Sequence, residues 1–281
     1  MFFIDKIKFN NTLENKFFKF KRYQGVCVMR TVIAIVTFFS CFLSAEGVTS
    51  ASLKYDLSAS NGLIPYYNNN PDYPGIYPEF IHLVLQEANI KGIEVILPSK
   101  RTQVALARGE LDFDIISPSW FTNHKIPNGY VLSVPLLTVT EHLIFLPGQA
   151  KSWLTLDAIK DRPVGTVRGY FYHDDYLFER VDLASEKELI MALDKRRINV
   201  AISGDLPALY WSQQLNIPIQ LGPIHSTGFT HIRLREEHVN LLPALNKAIE
   251  KLQQQGVLDV IVQRYMQIVS KQQPLDSIMT Q

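Results

Sequence analysis

Apolar positions change period several times along the chain, and each change marks an element. "LKYDLSAS" (53–60) alternates apolar and polar residues with the period of two that a half-buried strand requires. "GLIPYYNNNPDYPG" (62–75) is dense in Pro, Asn and Gly and predicts a loop. Pro78 then opens a helix in which Ile81, Leu85 and Ala88 share a face that Phe80 and Val84 widen. "GIEVILP" (92–98) predicts a strand. "RTQVALARGE" (101–110) predicts a short helix stopped at Gly109, where a left-handed cap costs glycine little. "LDFDIIS" (111–117) is a strand again.

The same alternation restarts downstream. "LTLDAIKD" predicts a short helix, "RPVGTV" a strand and "SEKELIMALDKRR" a helix with a capping box from Ser185 to Glu188. "INVAISG" is a strand and "LPALYWSQQL" a helix. Between the two series, "LSVPLLTVTEHLIFLPG" (132–148) is extended and lacks a helical period; "PIHSTGFTHIRL" (223–234) is a second such crossing. "LLPALNKAIEKLQQQG" and "VLDVIVQRYMQIV" are helical, and 271–281 reads as a tail. Strand–helix alternation predicts mainly parallel sheets covered by helices. Two such α/β units joined by two extended crossings predict lobes that close about a hinge.

The N-terminus changes this picture. Arg30 precedes an apolar run from Val32 to Leu43 and then small residues, the order of a secretory signal. About a dozen apolar residues are too few to span a bilayer comfortably. Residues 1–45 are therefore expected to be an N-terminal extension and signal peptide cleaved after Ala45, with Gly47 or Ala51 as alternative sites and Met29 as an alternative start. Cys27 and Cys41 would leave with it, removing disulfide and thiol chemistry. Seven basic and two acidic residues would leave too, turning the net charge of +1 into −4. With 47% hydrophobic and 20% charged residues in 281, the composition is globular and carries no nucleic-acid footprint. The cluster Lys195-Arg196-Arg197 reads as a solvated helix end.

Candidate chemistry gathers at strand ends, where ligands bind in open α/β sheets. The strand in "PVGTVRGYFYHDD" ends in Arg168, Gly169 and Tyr170: a cation, a permissive backbone and a flat apolar face. A guanidinium there suits an anion; the alternative is a surface arginine paired with Asp174 or Asp175. Arg101 follows another strand at a helix N-terminus, where a cation opposes the macrodipole. Ser117, Ser119 and Trp120 follow "DFDII"; the hydroxyls could orient a polar ligand and the indole cover it, or the tryptophan could simply be packed. The seven histidines show no metal spacing, and no nucleophile elbow or phosphate loop is present.

"GIYPEF", "RTQVALARGELDFDI", "PVGTVRGYFY", "LIMALDKRRINVAISGDLPALY" and "LNKAIEKLQQQGVLDVIVQRY", in this order, resemble the bacterial periplasmic solute-binding proteins of amino-acid-type ABC transporters, the family 3 receptors. The resemblance covers about 52–270. It implies an α/β, two-lobed periplasmic-binding-protein-like fold of type II with two hinge crossings. Lobe 1 would be 52–137 plus 230–270, and lobe 2 would be 138–229. It adds Tyr66 as an aromatic packed on the ligand and Asp205 as a partner for a ligand amine, although Asp205 also reads as a helix N-cap. Members that bind α-amino acids usually carry a Glu-Arg pair after the strand at 111–117. Here "SPSWFTNHKIPNGY" has no arginine, only Lys125, which lacks the bidentate fork.

The implied function is capture of a small polar, carboxylate-bearing solute in the periplasm. The chain would act as a monomer without cofactor, metal or nucleic acid, delivering its ligand to an inner-membrane ABC permease or a sensor receptor. Two alternatives stand beside it. One is a cleft enzyme of the cyclohexadienyl dehydratase type, using Glu79, Asp205 or His173 as acid or base. The other is an orphan sensory module.

Overall fold

Two five-stranded mixed sheets repeat one design. The computed structural model describes residues 51–58 and 63–270; the expected signal and the tail lie outside them. The first sheet is built from β1 (Ser52–Tyr55), β2 (Lys91–Glu94), β3 (Phe113–Ile116), β4 (Tyr130–Leu132) and β10 (His231–Arg235), in the order β2-β1-β3-β10-β4. The second is built from β5 (Thr138–Phe145), β6 (Pro163–Val167), β7 (Glu179–Leu183), β8 (Ala201–Gly204) and β9 (Gln220–Phe229), in the order β7-β6-β8-β5-β9. In each, three parallel strands are followed by two from the crossings, the first of which runs antiparallel to them. In the first sheet β10 pairs β4 antiparallel, and in the second β5 pairs β9 antiparallel.

Burial explains the strand patterns. β1 alternates exposed and buried residues, with Leu53 and Tyr55 turned to the core. β6 buries Val164 through Val167 without alternation because apolar clusters cover both its faces. The first core packs helices α1 (Ile76–Glu87), α5 (Leu242–Gln254) and α6 (Val257–Ser270) through Phe80, Ile81, Leu245 and Ile249. The second packs α3 (Glu186–Asp194) and α4 (Asp205–Leu215) through Leu189, Ile190 and Ala208. Helix α2 (Ser99–Arg108) stops at Gly109, whose φ is +75°.

The chain passes between the sheets twice, at Ser133–Leu137 and at Thr230, and the passages are tied together. Leu136 N donates to Thr230 O at 2.8 Å, and Thr230 N donates to Leu137 O at 2.8 Å. Buried Arg233 of β10 grips Asp114 of β3 with two hydrogen bonds, at 2.9 and 2.6 Å.

Three local expectations change. The helix at "LTLDAIKD" is only a 3-10 turn, Leu156–Ile159. Helix α1 starts two residues before Pro78, at Ile76. Strand β7, "ERVDL", has no counterpart in the sequence reading: it is an edge strand in which Glu179, Arg180 and Asp182 are charged, so its apolar signal is weak. At α3, Ser185 Oγ accepts from Glu188 N at 3.4 Å, while the Glu188 carboxylate accepts from Ala184 N at 3.0 Å.

Candidate functional site

A cavity of about 140 Å³ lies between the two sheets, with walls from both. From the first come Asp56, Tyr66, Tyr77, Thr102, Gln103, Ile115 and Trp120. From the second come Glu141, Val167, Gly169, Tyr170, Tyr172, Glu186 and Ser203. Most of this lining is apolar.

Tyr66 is placed by Gly75. That residue has φ +114°, and a Cβ there would come within 2.5 Å of Tyr66 O, so only glycine lets the two segments lie so close. The Tyr66 ring stacks on Tyr77 with centroids 5.5 Å apart, and Tyr77 Oη donates to Thr230 at the crossing. Burial pushes the Tyr66 phenol well up, with Tyr77, Asp205 and Glu141 adding to it, so it is a neutral donor at any ordinary pH.

The loop after β6 is pinned by its own aromatics and by Arg180. Tyr172 Oη accepts from Val167 N at 2.9 Å, and Tyr170 Oη donates to Glu186 at 2.8 Å. Arg180 reaches Val167 O and Tyr170 O and lies over the Tyr172 ring, 5.0 Å from its centroid. Gly169, at φ +88°, turns this loop onto the N-terminus of α2. A Cβ at Gly169 would stand 2.8 Å from Lys100 N. Gln103 Nε2 donates to Gly169 O, Thr122 Oγ1 donates to His173 O at 3.0 Å, and the Phe121 and Phe171 rings meet at 4.4 Å. These contacts join the two lobes beside the cavity, so the lobes are seen in contact.

Of the residues singled out from sequence, Tyr66, Trp120, Gly169 and Tyr170 line the cavity. Arg168 does not. It is exposed, in an adjoining open groove with Lys100, Arg180, Asp175 and Asp182, and its Nη2 lies 3.4 Å from Asp182 O. Arg101 is exposed on the first turn of α2 and lines neither space. Ser117 and Ser119 are buried, bonded to each other at 2.8 Å and packed against Gly228 of β9, again without lining the cavity. Asp205 is the first residue of α4, capped by Gly204 rather than capping; its Oδ1 accepts from Leu206 N at 2.7 Å. Burial raises the Asp205 pKa, opposed by the bond from Leu206 N and by His142.

The sequence reading missed Asp56, Asp114, Glu141 and Glu186, four acids in the cavity wall. Asp114 is answered by Arg233, although burial still raises its pKa. Asp56 accepts from Ser58 N, Ser58 Oγ, Leu97 N and Thr102 Oγ1. Glu141 accepts from Ser226 at Oε2.

Behind Glu141 lies a buried ion network. His225 Nε2 is 2.7 Å from Asp174, and its Nδ1 is 3.8 Å from Glu141. Burial alone would lower the His225 pKa, but the two carboxylates outweigh it and hold it at about 9. At 3.8 Å the Glu141 contact is an ion pair without a hydrogen bond, so Asp174 is the main partner. Burial would raise the Asp174 carboxyl, and His225 pulls it below its ordinary value instead. His173, Asp174 and His225 also bring ligating atoms within 4.8 Å of one another, as do Asp112, Glu237 and His238. In the first group the ion pair accounts for Asp174 and His225; spacing in sequence could not reveal it, because 173 and 225 meet only through the fold.

No protein-family model matches the chain, and no curated protein matches it in sequence. Solved structures do match in fold. The GluR0 ligand-binding core in complex with L-glutamate is 17% identical, with a TM-score of 0.64 over 77% of this chain and 99% of that one. The amino acid ABC transporter substrate-binding protein AbpA of Streptococcus pneumoniae, bound to L-arginine, is 15% identical, with a TM-score of 0.63 over 78% and 96%. AncCDT-1, an ancestral amino-acid-binding protein and precursor of cyclohexadienyl dehydratase, is 15% identical, with a TM-score of 0.60 over 76% and 95%. Two mixed sheets joined by two passages, with a cavity between them, give this chain the two-lobed fold of those ligand-binding proteins.

Proposed function

We propose that the chain is a solute-binding protein that traps one small molecule between its lobes. It acts in the periplasm and presents its ligand to an inner-membrane ABC permease or a sensor receptor. The observation that carries this reading is the cavity itself, walled from both sheets and bridged by contacts at Gly169, Phe121 and Thr122. Similar proteins in complex with L-glutamate and L-arginine support capture of a small polar solute.

The three residues named from sequence as acid or base for turnover lie off the cavity. Glu79 is held by Arg264 and Tyr265, away from the cavity lining. Asp205 is engaged with Leu206 N, and neither it nor His173 lines the cavity. A thermal-shift screen of the purified protein against amino acids, peptides, amines and organic acids tests the reading. A ligand at 100 times its Kd stabilises by about 2.7 kcal/mol, which is roughly 5–10 °C for a chain of this size. Flat curves across the whole panel would contradict it.

A further inference from the structure

We infer that the molecule bound in the cavity is an organic cation, an amine or quaternary ammonium on a small apolar body, that carries no carboxylate into the cavity. This deepens, and rests on, the solute-binding reading above. Four carboxylates line the cavity and, among the described residues, no lysine, arginine or histidine does. Arg233 answers Asp114, and the single charge of His225 is shared between Asp174 and Glu141, so Asp56 and Glu141 leave the wall net negative. A ligand carboxylate buried there would be stripped of water with no cation to receive it.

Helix N-termini are the other possible home for an anion, and carboxylates already stand at the starts of the three that border the cavity. Helix α2 turns its first residues to the cavity, but Leu97 N and Thr102 Oγ1 at that end donate to Asp56. Helix α3 carries Glu186 in its first turn, and at the start of α4 Leu206 N donates to Asp205.

Two polar groups point to the ligand directly. Glu141 is 8% exposed and lines the cavity; Ser226 donates to its Oε2, and among the described residues no donor reaches Oε1. That oxygen is the anchor for the cation. Trp120 Nε1 is buried in the wall without a partner, which suits one neutral acceptor on the ligand, such as a hydroxyl. Around them stand the rings of Tyr66, Tyr77, Trp120, Tyr170 and Tyr172, whose faces attract a cation with an apolar coat. The volume of about 140 Å³ suits a body near the size of benzene.

The test is a matched titration series on the full protein at pH 7. Benzylamine is compared with benzyl alcohol, which lacks the charge, and with phenylglycine, which adds the carboxylate. Isobutylamine is compared with L-valine, and choline and tetramethylammonium complete the cations. At least one cation is expected to bind about 30-fold or more tighter than its neutral or carboxylated counterpart, the lower end for a desolvated charge pair. Glu141→Gln should remove that advantage while leaving the alcohol within threefold. Amino acids binding as tightly as their amines would overturn the inference and leave the solute-binding reading standing. So would a panel in which only acids bind, or a Glu141→Gln protein that loses amine and alcohol equally. Silence from every compound would overturn the inference, and flat curves in the wider thermal-shift screen would overturn the solute-binding reading itself.

Discussion

Replacing Gly169 with alanine should weaken ligand binding in addition to straining the fold. The position costs an L-residue something in any state of the protein, because φ is +88°. That strain, roughly 1–2 kcal/mol, is confined to the loop after β6 and should lower Tm by a few degrees. The added Cβ acts only when the lobes are closed. It would stand 2.8 Å from Lys100 N and 3.2 Å from both Lys100 Cα and Ser99 C, all backbone atoms that cannot swing away. Relief requires the lobes to part there by several tenths of an ångström, which also stretches the bond from Gln103 to Gly169 O. Losing that bond and the packing beside it should cost the closed state about 1–3 kcal/mol, or about 5–150-fold in Kd. Calorimetric titration of wild type and Gly169→Ala with the same ligand measures this, with small-angle scattering to follow the radius of gyration. An affinity within twofold of wild type, with the same compaction on binding, would refute the closed-lobe account.

Arg233→Ala should lower unfolding free energy by about 3–5 kcal/mol in urea, because it leaves Asp114 buried and unpaired; a loss below 1 kcal/mol would contradict the pairing. His225 has its pKa raised to about 9 in the fold, so its contribution is fully present below its unfolded value near 6.5 and is lost as pH climbs through 9. The stability gap between wild type and His225→Gln should therefore shrink by roughly 3 kcal/mol from pH 6.5 to 9.5; a constant gap in urea melts would refute it. Arg168→Ala should change ligand affinity less than about threefold, whereas truncating a buried anion anchor would cost about 2–5 kcal/mol, so calorimetry separates the groove from the cavity as the place of recognition.

The α/β class and most elements were legible because periodicity and burial agree. Leu53 and Tyr55 alternate as a strand should, and Gly109 ends α2 in the left-handed region it predicts. The edge strand β7 was not, since Glu179 and Asp182 break its apolar run. In the site, Tyr66, Trp120, Gly169 and Tyr170 could be found as aromatics and a glycine at strand ends or in a loop. Glu141 could not: it sits mid-strand in β5 between Thr140 and His142, and its meaning comes from β9, 85 residues later. Arg168 shows the limit of reading charge from position. The strand end is where expected, but the chain turns at Gly169 and carries the guanidinium outward beside Asp182 while the rings turn inward.

Titration calorimetry with the first compound that raises Tm tests the central claim most directly. Capture between the lobes predicts one site per chain, a negative heat-capacity change from apolar burial, and competition among all cavity-sized ligands. A stoichiometry other than one, or binding that survives Gly169→Ala unchanged, would place recognition outside the cavity and contradict the account.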